Sequence, residues 1–369
     1  MKAIFNRVAI IGVGLIGGSL GMALRARGLA SEVVGSGSRV ENLRLGIELG
    51  AIHRFTSSIG EGVAGADLVI IATPVSVTVT VLQDIIPYLS PGAVVTDVGS
   101  TKSDIVRAAE KLMPPEITFI GGHPMAGTER AGVREADRYL FENAFYIITP
   151  HANTPPQAIE VVKKLASGVG AKIIEMEPES HDLAVAAVSH LPYFIAVSLV
   201  NTVAHMPGSN EILPLAASGF RDTTRIAASS PGMWRGIFQS NREQLLAIIR
   251  RFRSEISLFE SSIAEDDGEN VEVKLENARR VRSGLPSKAS RYLTSLYEIV
   301  VTVPDRPGVI AALAAPLADA GVNIYDIEIL RVREGDGGTI RVGFSSEEEQ
   351  NRAVLALQEL GYQVRIRQM

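Results

Sequence analysis

The stretch VAIIGVGLIGGSLGMALRARG, residues 8–28, decides how the rest of the chain is read. Val8 to Ile11 is a short apolar run rich in β-branched residues, of the kind that fills a buried parallel strand. Gly12, Gly14 and Gly17 follow it directly as a GxGxxG, and helix-forming residues continue to Gly28. A strand, a glycine turn and a helix in that order bring backbone amides and a helix N-terminus to where a pyrophosphate can approach. The motif predicts a dinucleotide site containing Gly12, Gly14, Leu15, Ile16 and Gly17, together with Thr73 and Pro74 after a later strand. It also explains why Lys2 and Arg7 ahead of an apolar run are not an export signal.

Working outward, short β-branched runs alternate with helix-like stretches as far as about Glu175: Glu32 to Val34, Leu68 to Ala72, Ala93 to Asp97, Thr118 to Ile120, Tyr146 to Ile148 and Lys172 to Ile174. Such alternation predicts an α/β, Rossmann-like doubly wound sheet over residues 1–176. From Glu179 to about Arg282 strand signals vanish and helical periodicity takes over, as in Arg242 to Ile263. An all-α domain is expected over 177–290. Within it Leu183 to Val203 has about the length of a bilayer span. Ser189, His190 and Pro192 interrupt it, so it is read as a buried core helix. The acidic Glu265 to Glu269 and basic Arg279 to Arg282 read as solvated helix faces, and Ser283 to Ser290 as a linker. Residues 296–369 then show strand, helix, strand, strand, helix, strand, a ferredoxin-like α+β order.

Composition narrows the function class. At 369 residues and 46% hydrophobic content the chain can bury several cores, and a net charge of −5 with mixed signs gives no attraction to nucleic acid or an anionic membrane. Without cysteine there is no disulfide framework, thiolate zinc site or thiol nucleophile. A small-molecule partner, no metal and a cytoplasmic location are the expectations.

An NAD site usually ends its second strand with an acid that accepts the ribose 2′-hydroxyl. Here Val34 is followed by Gly35, Ser36, Gly37, Ser38 and Arg39, with no carboxylate. Ser36, Ser38 and Arg39 suit a 2′-phosphate instead, so NADP is expected over NAD.

Two further segments follow strand ends: Asp97 to Ser103 (DVGSTKS) and Gly121 to Glu129 (GGHPMAGTE). In an open parallel sheet such ends face the ligand crevice, so Ser100 and His123 are expected beside the nicotinamide. Together with Ser189 to Tyr193 (SHLPY), Gly219 to Arg225 (GFRDTTR), Met233 and Trp234, these motifs resemble the prephenate and arogenate dehydrogenase family, in order along nearly the whole chain. The resemblance implies hydride transfer from substrate to nicotinamide, with loss of a ring carboxylate as carbon dioxide. It implies His123 as the base and Ser100 as its hydrogen-bonding companion, while Arg225 binds a substrate carboxylate. Glu129, Asp182, Ser189, Tyr193 and Trp234 fall on motif positions near the substrate, with Asp182 expected at the substrate or as the orienter of a base. A homodimer through the helical domain is also implied. Where the family often reads SHLPH, this chain has Tyr193, which leaves open whether prephenate or arogenate is preferred. His190 is expected as a satisfied core histidine, and Arg221 as the partner of Asp222.

The C-terminal segment resembles an ACT regulatory domain. That likeness implies an amino-acid effector, tyrosine, held by Asp305, Pro307, Gly308, Asn323 and Ile324. Two other classes remain: a 3-hydroxyacid dehydrogenase of similar architecture, against which the Gly121 to Glu129 run and the ACT-like tail argue, and a catalytically silent dinucleotide-dependent amino-acid sensor, against which His123, Ser100 and Arg225 argue.

Overall fold

The computed structural model describes residues 3–127, 131–151, 153–284, 297–304, 306–330 and 338–367. Glu129, Asp305 and most of the linker lie outside them. Contacts divide the chain into two compact units, 1–256 and 257–369.

The first unit opens with β1 (Phe5–Ile11), α1 (Leu15–Ala26), β2 (Ala30–Ser36), α2 (Val40–Glu48), β3 (Arg54–Thr56), α3 (Ile59–Val63), β4 (Leu68–Ile71), α4 (Val75–Ile85), β5 (Val94–Asp97), α5 (Ser103–Leu112), β6 (Thr118–Pro124), β7 (Phe145–Thr149), α6 (Pro156–Gly168) and β8 (Lys172–Glu175). The strands form one sheet in the order β3-β2-β1-β4-β5-β6-β7-β8. Alternate side chains leave opposite faces of each strand, so Val8 and Ile10 pack with α1, α2 and α6, whereas Ala9 and Ile11 pack with α3, α4 and α5.

This is the doubly wound α/β fold, with two differences from the sequence expectation. β3 is a three-residue edge strand too short to carry a pattern. β7 runs antiparallel to β6, with Gly121 opposite Thr149 and His123 opposite Ile147. Between these strands the described residues contain only the short 3-10 turn Val133–Glu135. A parallel return is usually made through a helix; α6 provides one, and β8 is parallel to β7.

The helices that complete this unit are α7 (Pro178–Val185), α8 (Leu191–Ala204), α9 (Ser209–Ile212), α10 (Ser218–Thr224), α11 (Pro231–Ser240) and the start of α12 (Arg242–Ala264). A π-helical turn, Ala186–His190, joins α7 to α8. The resulting 27-residue apolar helix Pro178–Ala204 has the length and composition to cross a membrane, but only 28% of its most apolar window is buried. The expectation of a buried core helix is therefore corrected: in a single chain its Leu183 and Val188 are exposed. Periodicity identifies an apolar helix without saying what covers it.

In the second unit, α13 (Gly268–Ser283) precedes β9 (Tyr297–Val303), α14 (Val309–Asp319), β10 (Asp326–Leu330), β11 (Gly338–Phe344), α15 (Glu347–Glu359) and β12 (Gln363–Arg367). The sheet order β10-β11-β9-β12, with all neighbours antiparallel, is the ferredoxin-like arrangement. Ile299, Val301, Val342 and Phe344 close its core against Leu313, Leu317 and Leu357.

Candidate active site

The glycine turn after β1 has the geometry that a dinucleotide requires. Gly12 sits at φ +96°, and a Cβ there would meet Ala72 O at 2.6 Å, while one on Gly17 would meet Gly12 O at 2.2 Å. Gly14, by contrast, faces open space. It caps α1 with no side chain over the helix N-terminus, leaving Leu15, Ile16 and the following amides open to an anion. Across from it Pro74 caps α4, and Thr73 Oγ1 is buried without a partner among the described residues. An orphaned hydroxyl beside an open amide cradle fits a nicotinamide dinucleotide, a hydrogen-bonding ligand at the switch point of the sheet.

At the ribose end the residues divide differently from expectation. Ser36 is buried, and its hydroxyl has no partner among the described residues. A Cβ on Gly62 of α3 would stand 3.1 Å from that oxygen, so Ser36 points beneath α3 rather than into the loop. Ser38 and Arg39 are exposed at the start of α2. Between them Gly37 has nothing within 3.9 Å of its missing Cβ, and the first atom met is Gly12 N.

His123 is the sixth residue of β6, where sequence reading expected a loop after a shorter strand. Pairing with β7 extends the strand through it. Asp97 and Lys102, both wholly buried, form an ion pair beside it. Lys102 Nζ also donates to Gly122 O at 2.9 Å, and Asp97 accepts the amides of Gly99 at 2.8 Å and Gly122 at 3.1 Å. These bonds tie the ends of β5 and β6 together one residue before His123. Burial pulls the Lys102 pKa down against the attraction of Asp97.

The helical segment supplies the other half. His181 of α7 places Nε2 2.8 Å from His123 Nδ1 and Nδ1 2.9 Å from Asp182 Oδ1. The Asp182 carboxylate also accepts the Lys102 amide at 2.7 Å and the Ser103 amide at 2.9 Å. It thereby satisfies two orphan donors at the start of α5 and places negative charge where the helix dipole favours it. Burial alone would raise the Asp182 pKa, but the bonds from His181, Ser103 and Lys102 outweigh it and hold the carboxyl below its ordinary range. Asp182 is 2% exposed, with its carboxylate bonded to His181 and to the start of α5.

Burial first, then electrostatic opposition from His181, Lys102 and His190 to a charge on the ring, depresses the His123 pKa well below that of an ordinary histidine. Its Nε2 takes no hydrogen bond from the described residues. Neither does Ser100: it does not reach His123, and it does not cap α5, whose cap position is Lys102.

Behind His181 the expectation for His190 agrees with what is seen. It is 1% exposed, bonded at 3.2 Å to the Asn241 amide, and burial lowers its pKa to about 4. Asn241 also donates to Asp182 O at 2.7 Å. His190 meets Trp234 edge-on at 5.9 Å, and Tyr193 stacks flat on Trp234. Trp234 Nε1 is buried without a partner among the described residues. The helix carrying Trp234 reaches the dinucleotide domain, since a methyl placed on Gly236 would stand 3.6 Å from Ser76 Cβ of α4. Ser189 is half-buried in the π-helical turn. Arg225 is exposed at the start of the 3-10 turn Arg225–Ala228, which packs on α8, and Arg221 bonds Ala216 O at 3.0 Å rather than Asp222. The structure thus joins His123, Asp182, His190, Tyr193 and Trp234 in one continuous cluster. Sequence reading missed His181, Lys102 and Asp97 as members, although an acid one residue after a histidine (His181, Asp182) was a visible signal.

In the second unit a cavity of about 680 Å³ is lined by Thr302, Pro304, Arg306, Pro307, Gly308 and Tyr362 among others. Pro307 and Gly308 lie where the ACT resemblance put them; Asn323 and Ile324 are not among the lining residues.

Comparison with known proteins agrees with this arrangement. Residues 20–175 match the family described as "Prephenate dehydrogenase, nucleotide-binding domain", 177–277 match "Prephenate dehydrogenase, dimerization domain", and 297–360 match "ACT domain". The chain is 38% identical over 358 residues to a prephenate dehydrogenase of Bacillus subtilis (strain 168), covering 96% of each. It is 33% identical over 351 residues to one of Lactococcus lactis, covering 94% of this chain and 96% of that protein. Among solved structures it resembles Aquifex aeolicus prephenate dehydrogenase in complex with hydroxyphenyl propionate and NAD+, with a TM-score of 0.72 at 33% identity over 75% of this chain and 97% of that one. Synechocystis arogenate dehydrogenase gives a TM-score of 0.67 at 30% identity, over 75% and 99%. The motifs, the His123 cluster, the two-domain match and the C-terminal sheet lead to one assignment: the chain belongs to the prephenate dehydrogenase family and carries a C-terminal ACT domain.

Proposed function

We propose that the chain catalyses the oxidative decarboxylation of prephenate to 4-hydroxyphenylpyruvate, a step toward tyrosine. The observation that carries this reading is His123: its pKa is depressed, so it is neutral at pH 7, and its Nε2, without a partner among the described residues, stands at the C-terminal end of β6 in the sheet that also carries the glycine turn. A neutral imidazole can accept the proton of the substrate hydroxyl as the ring carbon bearing that hydroxyl is oxidised. A bound nicotinamide would accept the hydride. Loss of the ring carboxylate as carbon dioxide then aromatises the ring, which leaves orientation and one proton as the protein's tasks. Arg225 provides a guanidinium for a substrate carboxylate, Ser100 a hydroxyl for the reacting oxygen, and Tyr193 and Trp234 an aromatic wall. Glu129, outside the described residues, is proposed as part of the same site.

Arogenate is the second reading, favoured by Tyr193: a phenol carries no charge at neutral pH, and burial raises its pKa further. For the cofactor, the open space at Gly37 and the exposed Arg39 favour NADP. We assign residues 1–176 to the dinucleotide-binding domain, 177–290 to a helical substrate and dimerisation domain, and 296–369 to an ACT domain that binds tyrosine. Exposed Leu183, Val188 and Leu215 support a homodimer, since apolar surface of this kind is normally covered by a partner. Initial rates with prephenate and with arogenate, each offered NAD and NADP, test the reading. Turnover of prephenate is expected, and no turnover of either substrate by folded, cofactor-binding protein would overturn it.

A further inference from the structure

No motif points to His181, yet it is the only partner that His123 has among the described side chains. It is wholly buried between two neighbours that fix its protons. Asp182 accepts two backbone amides, and these with His181 hold its carboxyl below the ordinary range, so it is ionised at neutral pH and accepts from His181 Nδ1–H as well. A neutral His181 is then left with a lone pair at Nε2, which obliges His123 to present Nδ1–H across the 2.8 Å contact. The lone pair of His123 therefore lies on Nε2, the nitrogen without a partner among the described residues.

We propose that His181 is a positioning residue: it holds His123 in the tautomer with Nε2 as base, and it receives the Nδ1 proton when Nε2 accepts one from the substrate hydroxyl. The inference rests on the reading of His123 as the base. The proton balance is simple. The substrate O–H bond breaks as His123 Nε2–H forms; His123 Nδ1–H breaks as His181 Nε2–H forms. His181 then carries both protons beside the Asp182 carboxylate. After product departs the protons retrace this path, and one leaves from His123 Nε2 to water.

The surroundings favour placing the charge on His181 rather than on His123. Lys102, reaching in beside the end of β5 with its partner Asp97, opposes positive charge on His123. The groups that face the pair are Asp182 on α7, His123 on β6, Lys102 and Asp97 at the end of β5 and the loop after it, and His190 on the π-helical turn. Asp182 alone among them makes a hydrogen bond to His181 that favours its charged form. A helix of one domain thus sets the proton inventory of a strand in the other.

The test uses the full chain saturated with cofactor, labelled with 15N-histidine, as wild type, His181→Gln and His181→Phe. Nitrogen shifts of the six histidines report the tautomer directly. Wild type should show His123 as Nδ1–H, and His181→Phe should lose that preference. His181→Gln should keep it, because an amide oxygen can accept from His123 while its NH₂ donates to Asp182. In parallel, kcat of His181→Phe should fall by about 100-fold or more with KM and cofactor Kd within about twofold, and the acid limb of its kcat profile should move. His181→Gln should recover about tenfold of that loss. An unchanged His123 tautomer in His181→Phe, or equal losses in both variants with an unmoved pH profile, would overturn the proposal. If wild type turns over neither substrate, the functional reading fails while the tautomer measurement still decides the role of His181.

Discussion

Tyr193 and Trp234 lie ring on ring, 3.7 Å between centroids and 5° between planes, although they come from different helices of the helical segment. Phe238 meets both edge-on, and His190 meets Trp234 edge-on, so the stack is held from the sides. The Tyr193 hydroxyl takes no hydrogen bond within the described residues, which leaves it available to a substrate.

Tyr193→Phe keeps the stack and removes only that hydroxyl. Stability to urea should change by less than about 0.5 kcal/mol, whereas KM for the substrate should rise about tenfold if the hydroxyl bonds it. Trp234→Ala removes ring area and stacking together and should lower unfolding free energy by about 3 kcal/mol. Urea melts and steady-state kinetics on the same preparations separate the two effects.

Lys102 and Asp97 form a wholly buried ion pair, and removing one partner strands the other. Lys102→Met leaves the Asp97 carboxylate with only two amide donors, and the expected loss is about 3–5 kcal/mol. Adding Asp97→Asn should return more than about 1 kcal/mol of it, because a neutral amide tolerates burial better than an unpaired charge. A double variant no more stable than Lys102→Met alone would mean that the pair acts through packing rather than charge.

The buried His190 makes stability depend on pH in a defined window. Its pKa is lowered from an ordinary 6.5 to about 4, so below 6.5 the unfolded chain binds a proton that the folded chain resists. The stability that this group contributes is present in full above pH 6.5 and is lost as the pH falls toward about 4. The loss amounts to about 3 kcal/mol. Urea midpoints measured from pH 7.5 to 4 should fall across that window, and His190→Gln should flatten the fall.

The space beside Gly37 invites a direct test of cofactor choice. An aspartate there would stand next to the Gly12 amide and repel a 2′-phosphate, while it could accept the two ribose hydroxyls of NAD. Gly37→Asp should weaken NADP by about tenfold or more and tighten NAD. Arg39→Ala should weaken NADP alone. Fluorescence titration of reduced cofactors measures both, and an NADP affinity insensitive to either change would place the 2′-phosphate elsewhere.

The sequence by itself determined the local and periodic features. The strand–glycine–helix opening, the alternating runs to Glu175, the helical segment and the β-α-β-β-α-β tail all follow from hydrophobic period and turn chemistry, which are properties of neighbouring residues. His123 and Tyr193 were legible because motifs mark them. Only the tertiary structure decided the rest, since each remaining feature depends on residues far apart in the chain. The antiparallel return of β7 places His123 inside a strand. Asp182 reaches about eighty residues back to accept the amides at the start of α5. Lys102 and His181 are wholly buried around His123. A charge or an imidazole acquires its protonation state from what surrounds it, and those surroundings exist only once sheet and helices have packed.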